Sequence, residues 1–243
     1  MAVFAIADLH LSFGVDKPMD IFGEKWKNHH VILANNWKKQ ITENDWVIIP
    51  GDISWGLHKS EILPDLRFID ALPGKKIILK GNHDIWWGTA KKNKELLEKN
   101  QLKTIRFMYN EAIKIDNIIL CGTRGWLCPG DKDFKQDDMT IYNREAGRLS
   151  NSIREALCMR DNNEEIICFM HFPPFGSTSG IDISSSIKPT EFTKIIENNG
   201  IRRCFFGHVH SPEKQKSCHK DSSVTEYKLI AADFIDFLPV RIQ

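Results

Sequence analysis

No Cys-x-x-Cys pair, no run of 18 apolar residues and no surplus of charge of either sign occurs in this sequence. Each absence removes a class of function. Lys and Arg number 33 against 32 Asp and Glu, so no global field marks nucleic acid or an anionic membrane as the partner, and an anionic substrate must be held locally. The first residues, Met1 to Asp8, carry no basic segment, and Asp8 interrupts the apolar stretch before the core of a signal peptide could form. With no apolar stretch long enough to span a bilayer, the expectation is a cytoplasmic protein. Cys121, Cys128, Cys158, Cys168, Cys204 and Cys218 are scattered through apolar segments, which reads as reduced, mostly buried thiols. No linker rich in Pro, Ser and Gly divides the chain, so residues 1–243 are expected to form one domain.

What is present is an alternation. Short apolar runs rich in β-branched residues recur at Val3 to Ala7, Trp46 to Pro50, Lys76 to Lys80, Ile118 to Gly122, Ile166 to Met170 and Arg203 to Phe206. Each has the length of a fully buried strand. Between the first two, Trp26, His30, Leu33, Trp37 and Ile41 recur at helical spacing. Ile62 to Leu72, Thr89 to Lys99 and Met139 to Arg160 are further helix candidates, and the alternation predicts an α/β fold. After Phe206 the chain turns to short alternating segments, Thr225 to Ala231 and Phe237 to Ile242, which suggests antiparallel strands or a second sheet. The one Ser-rich stretch, 176–188, is either a surface loop or a lid over a site.

The ends of these strands carry the chemistry. The first is followed by Asp8-Leu9-His10, the second by Gly51-Asp52 and the third by Gly81-Asn82-His83-Asp84. Later strands end at His171 and at Gly207-His208-Val209-His210. In an open α/β sheet ligands bind beyond the carboxyl ends of the strands, so these side chains converge although they are distant in sequence. Two such carboxylates, Asp8 and Asp52, call for a cation, and a mixed N and O donor set suits Mn, Fe or Zn. Seven ligands exceed the needs of one metal and suit two ions sharing a bridging carboxylate. The glycines before the ligands serve a positive φ or a close backbone approach.

This ordered series resembles the calcineurin-like metallophosphoesterase superfamily, in order and spacing from residue 8 to residue 210. The resemblance implies two mixed β-sheets packed as a sandwich flanked by helices, with a dinuclear metal centre that hydrolyses phosphomonoester or phosphodiester bonds of a small phosphorylated substrate. It places Asp8, His10 and His210 on one divalent or mixed-valence ion and Asn82, His171 and His208 on the other, bridged by Asp52. A hydroxide between the ions would attack phosphorus, and His83 would stand over the phosphate as general acid, its ring oriented and charged by Asp84. One departure concerns the second motif, which commonly continues to a further Asp. Here it reads Gly51-Asp52-Ile53-Ser54-Trp55-Gly56, which removes a nearby carboxylate and no metal ligand.

Three further residues admit two readings each. Arg124, in Gly122-Thr123-Arg124-Gly125-Trp126, either forks onto a substrate phosphate or makes a surface ion pair. Trp86 and Trp87 either pack in the core or stack on a base or apolar leaving group. His29 and His30 divide between a solvated and a core position. Members of the superfamily that serve as non-catalytic scaffolds lack parts of this signature, and a nuclease would want a local basic groove.

Overall fold

The computed structural model describes residues 1–161, 163–175, 189–210 and 220–243. Its contacts fall into two compact units, one made of Met1–Met108 with Ile230–Gln243 and the other of Tyr109–Leu229.

In the first unit, β1 (Val3–Ala5), β2 (Trp46–Pro50), β3 (Lys75–Leu79) and β4 (Ile105–Phe107) lie side by side and run parallel. The last strand of the chain, β11 (Val240–Arg241), pairs antiparallel with β1 and makes the sheet mixed. Val47, Ile48, Ile49, Ile77 and Ile78 are wholly buried, which is why β2 and β3 read as unbroken apolar runs. The helices are α1 (His29–Gln40), α2 (Lys59–Asp70) and α3 (Ala90–Lys99), the last begun by Thr89, whose hydroxyl accepts from the Lys92 N–H at 3.3 Å.

One position on α1 departs from its sequence pattern. His29, and not His30, is buried with Leu33 and Trp37. Its Nδ1 lies 3.1 Å from the Trp26 carbonyl and its ring packs against Trp26 and Phe237. Positions 29 and 30 lie four and three residues before Leu33, so helical spacing alone does not choose between them.

The second unit holds β5 (Ile113–Ile115), β6 (Ile118–Thr123), β7 (Glu165–Met170), β8 (Arg203–Phe206), β9 (Lys220–Asp221) and β10 (Glu226–Leu229), in the spatial order β5-β6-β7-β8-β10-β9. β6, β7, β8 and β10 are parallel, whereas β5 and β9 pair antiparallel at the edges. The alternating segment from Thr225 thus yields a strand that runs parallel to β8. Helix α4 (Asp138–Met159) falls where its apolar spacing puts it. The short α5 (Glu191–Asn198) was not foreseen, although Thr190 caps it by accepting from the Thr193 N–H at 3.1 Å. Cys121, Cys168 and Cys204 lie in register across β6, β7 and β8 and are fully buried, as expected of structural thiols.

Both sheets are mixed and flanked by helices, the α/β class that the alternation predicted. The Ser-rich stretch 176–188 lies outside the described residues, as do Cys218 and His219. Among the described residues no helix is long and apolar enough to cross a membrane.

Candidate active site

In the first unit the predicted residues follow three adjacent parallel strands. The loop after β1 runs alongside the loop after β2, with the N–H groups of Asp8, His10 and Leu11 donating to the carbonyls of Gly51, Asp52 and Ile53 at 3.0, 3.0 and 2.9 Å. Asp8, His10 and Asp52 all adopt left-handed backbone, with φ of 60°, 45° and 53°. A non-glycine residue in this region is uncommon and costs about 1 kcal/mol or more, so three in two paired loops mark a conformation held for its side chains. Gly51 also has a positive φ, 95°. Gly81 serves differently, since a Cβ there would overlap the backbone N and Oδ1 of Asp52.

The side chains gather accordingly. Asp8, His10 and Asp52 are buried, and ligand atoms of Asp8 and His10 lie within 4.8 Å of each other. Asp52 Oδ1 accepts from the His83 N–H at 2.8 Å, while its Oδ2 faces Nε2 of His10 at 3.7 Å and Nε2 of His83 at 4.0 Å. His83 is 39% exposed, in contrast to the buried carboxylate it faces. Asn82 is half-buried between the buried Gly81 and His83.

Asp84 corrects an expectation. Its carboxylate does not meet the His83 ring; Oδ2 accepts from the N–H groups of Asp52 (2.9 Å) and Gly81 (2.8 Å), and Oδ1 from that of Ile53 (3.0 Å). Burial, and after it the charge of Asp52, raises its pKa, and the three N–H donors pull the other way. Asp84 therefore fastens the loop after β2 to the loop after β3, and the ring of His83 is placed by Asp52 and by Trp55. Asp84→Asn is expected to lower stability by about 1–3 kcal/mol, because an amide nitrogen would face a backbone N–H. Chemical denaturation checks this; unchanged stability with a shifted pH–rate profile would instead restore the ring-charging role.

Another carboxylate enters from α2. Asp65 is fully buried and accepts from the Phe13 N–H at 2.8 Å and from the hydroxyl of Ser54, two residues past Asp52. Burial raises its pKa to about 6. A carboxyl whose folded pKa lies above its unfolded one binds more protons when folded, so its contribution favours folding at low pH and declines as pH rises from about 4 to about 6. Asp65→Asn should remove that dependence, and relative to wild type the variant should gain about 1 kcal/mol between pH 5 and 7.5 in urea unfolding.

The second unit repeats the pattern on β6, β7 and β8. The Arg124 carbonyl accepts from the N–H groups of His171 (3.1 Å) and Phe172 (2.9 Å), and the His171 carbonyl from that of Gly207 (3.1 Å), so the three strand ends are tied in series. His171 is fully buried, and ligand atoms of His171 and His208 lie within 4.8 Å of each other. His208 takes a left-handed φ of 72°, and Phe172 packs on its ring at 4.2 Å between centroids. His208 and His210 are half-buried on either side of the buried Val209.

The tentative substrate residues fare differently. Arg124 pairs at 3.6 Å with the buried Glu145 and lies over the Trp126 ring at 4.4 Å, so it makes an ion pair, internal and not at the surface. Its side-chain contacts favour that reading over a substrate fork. Trp86 is buried and packs with Trp87 on Phe107 of β4, which makes it a core residue. An aromatic residue that does lie beside the loops carrying His10 and His83 is Trp55, which sequence reading passed over. Its ring stacks on His10 at 5.0 Å and 24° and lies 4.3 Å from that of His83.

A family model described as calcineurin-like phosphoesterase matches residues 1–212 of the chain. The Gene 66 protein of Mycobacterium phage L5 is 36% identical over 80 residues, a match that spans 32% of this chain and 37% of that protein. Among solved structures, a phosphopantetheinyl hydrolase from Mycobacterium tuberculosis is similar in fold, with a TM-score of 0.55 and 14% identity over 99% of this chain and 95% of that one. A protein of unknown function from Aquifex aeolicus gives a TM-score of 0.54 and 18% identity with the same coverage.

Proposed function

Since the chain belongs to the calcineurin-like phosphoesterase family, we propose that it hydrolyses a mono- or diester bond of a small phosphorylated substrate at a centre of two metal ions. In this proposal Asp8, His10 and His210 hold one ion, Asn82, His171 and His208 hold the other, and Asp52 serves both, the assignment that the sequence signature implies. The donors are carboxylate and amide oxygen with imidazole nitrogen, a set that fits divalent Mn, Fe or Zn. When bound, two such ions would supply Lewis acidity to the phosphoryl oxygens and acidify water at neutral pH. The proposal keeps residues 1–243 as a single domain.

The observation that supports this reading most is the surroundings of Asp52: one oxygen of a buried carboxylate faces both a candidate ligand imidazole and the candidate acid. By accepting the His83 N–H, the other oxygen fixes where that histidine leaves the loop. His83, partly exposed, then hands a proton from Nε2 to the departing oxygen of the substrate. Asp84 accepts backbone N–H groups and Asp65 a backbone N–H and the Ser54 hydroxyl, and in this proposal each holds loops that carry ligands.

Purified protein supplied with Mn, Fe or Zn should turn over p-nitrophenyl phosphate or its bis ester, and the ratio of the two rates assigns mono- or diesterase. Absence of turnover with every divalent metal would favour a non-catalytic scaffold.

A further inference from the structure

Trp55, beside the proposed acid, carries two further side chains of the first unit that have no part in the chemistry above. Trp55 is fixed in place: its backbone N–H donates to the Leu11 carbonyl at 2.9 Å, and its Nε1–H points to the Met19 sulfur at 2.9 Å. Phe22 lies nearly parallel to it, at 6.3 Å between centroids and 9° between planes, and is 54% exposed. The ammonium of Lys17 rests over both rings, 4.5 Å from the Trp55 centroid and 5.3 Å from that of Phe22. Lys17 meets no carboxylate among the described residues; its charge is held by ring faces alone.

An exposed phenylalanine is ordinary, and so is a surface lysine. Here both are assembled on an indole whose ring touches that of the acid. A leaving oxygen protonated by His83 must come within about 3 Å of the donor nitrogen. With the Trp55 centroid 4.3 Å from the His83 ring, atoms attached to that oxygen come within reach of Trp55 and of the two side chains that rest on it, Phe22 and Lys17. That surface offers the exposed Phe22 ring for stacking and one cation.

We propose that Trp55, Phe22 and Lys17 form a leaving-group subsite that takes a flat ring carrying a second anionic group. The inference rests on the phosphoesterase reading and names the class of substrate for that site. An aryl ester with a carboxylate and a nucleotide whose leaving group retains a phosphate share this chemistry.

The test uses the metal-loaded full chain with three esters of closely matched leaving-group reactivity: para-carboxybenzyl, benzyl and cyclohexylmethyl phosphate. Wild type should show kcat/KM falling in that order, by about fivefold at each step. Lys17→Ala should remove the first step and Phe22→Ala the second. Release of the 3′-phosphate from adenosine 3′,5′-bisphosphate against adenosine 3′-monophosphate is the nucleotide arm, and a loss in Lys17→Ala confined to the bisphosphate identifies the phosphate-bearing source. Binding is read apart from turnover by the indole N–H resonance of Trp55, assigned with Trp55→Phe, which should move when para-carboxybenzyl phosphonate is added. Equal kcat/KM for the three esters in wild type, or equal losses on all three in both variants, would overturn the subsite and leave the phosphoesterase reading standing. Failure to turn over any of these esters or p-nitrophenyl phosphate with any divalent metal would remove that reading and the subsite with it.

Discussion

Asp52→Asn is expected to strip most of the bound metal from the protein and to lower kcat on the order of a thousandfold or more. The substitution is nearly isosteric, so the amide oxygen can still accept the His83 N–H that Asp52 Oδ1 accepts at 2.8 Å. What changes is the other atom. Where Oδ2 now faces His10 Nε2 at 3.7 Å and His83 Nε2 at 4.0 Å, the variant places an amide nitrogen with no lone pair for a metal and no negative charge. The fold should survive and the far-ultraviolet circular dichroism should match wild type. Unchanged metal stoichiometry by elemental analysis would remove Asp52 from the centre.

His83→Ala is expected to act on rate alone. The ring is 39% exposed and rests on Trp55 and near Asp52, so its removal opens no core cavity and takes away no proposed ligand. Loss of a general acid costs about a hundredfold to ten-thousandfold in kcat. Metal content should stay at the wild-type level, and the deficit should be smallest for p-nitrophenolate, which departs without help from a proton. An equal loss of metal and of rate would make His83 a support of the centre and not its acid.

The two substitutions divide along a line that was partly visible in the sequence. Strands buried on both faces announce themselves as apolar runs, and β2 and β8 begin and end where those runs do. The residues immediately after such strands are the ones that the proposal assigns to the site, which is why the ligand candidates could be named. Two three-residue strands were not legible: β4 and β5 each bury two side chains and expose the middle one, too short an alternation to stand out from a loop. Helix α5, eight residues beside the Ser-rich stretch, was overlooked although Thr190 and Thr193 form a capping pair.

Within the site, what sequence could not supply was the direction of side chains after irregular backbone. The role of Asp84 depends on where three N–H groups of other residues point, and those depend on the left-handed turn at Asp52. The same turn, with the ladder between the first two loops, carries Trp55 onto His10 and His83. Trp86 and Trp87, adjacent to the acid in sequence, are instead drawn to Phe107 by the pairing of β3 with β4. Of the two readings that the sequence left open for Trp86, its burial supports the core, because two residues past a turn suffice to enter it.

The most direct measurement of the central claim is a titration of the metal-depleted protein with Mn, following bound metal by elemental analysis and turnover of p-nitrophenyl phosphate and its bis ester in the same samples. The account predicts saturation at about two ions per chain, with activity rising as the second is taken up. Saturation at one ion, or full occupancy by two with no turnover of either ester, would contradict it.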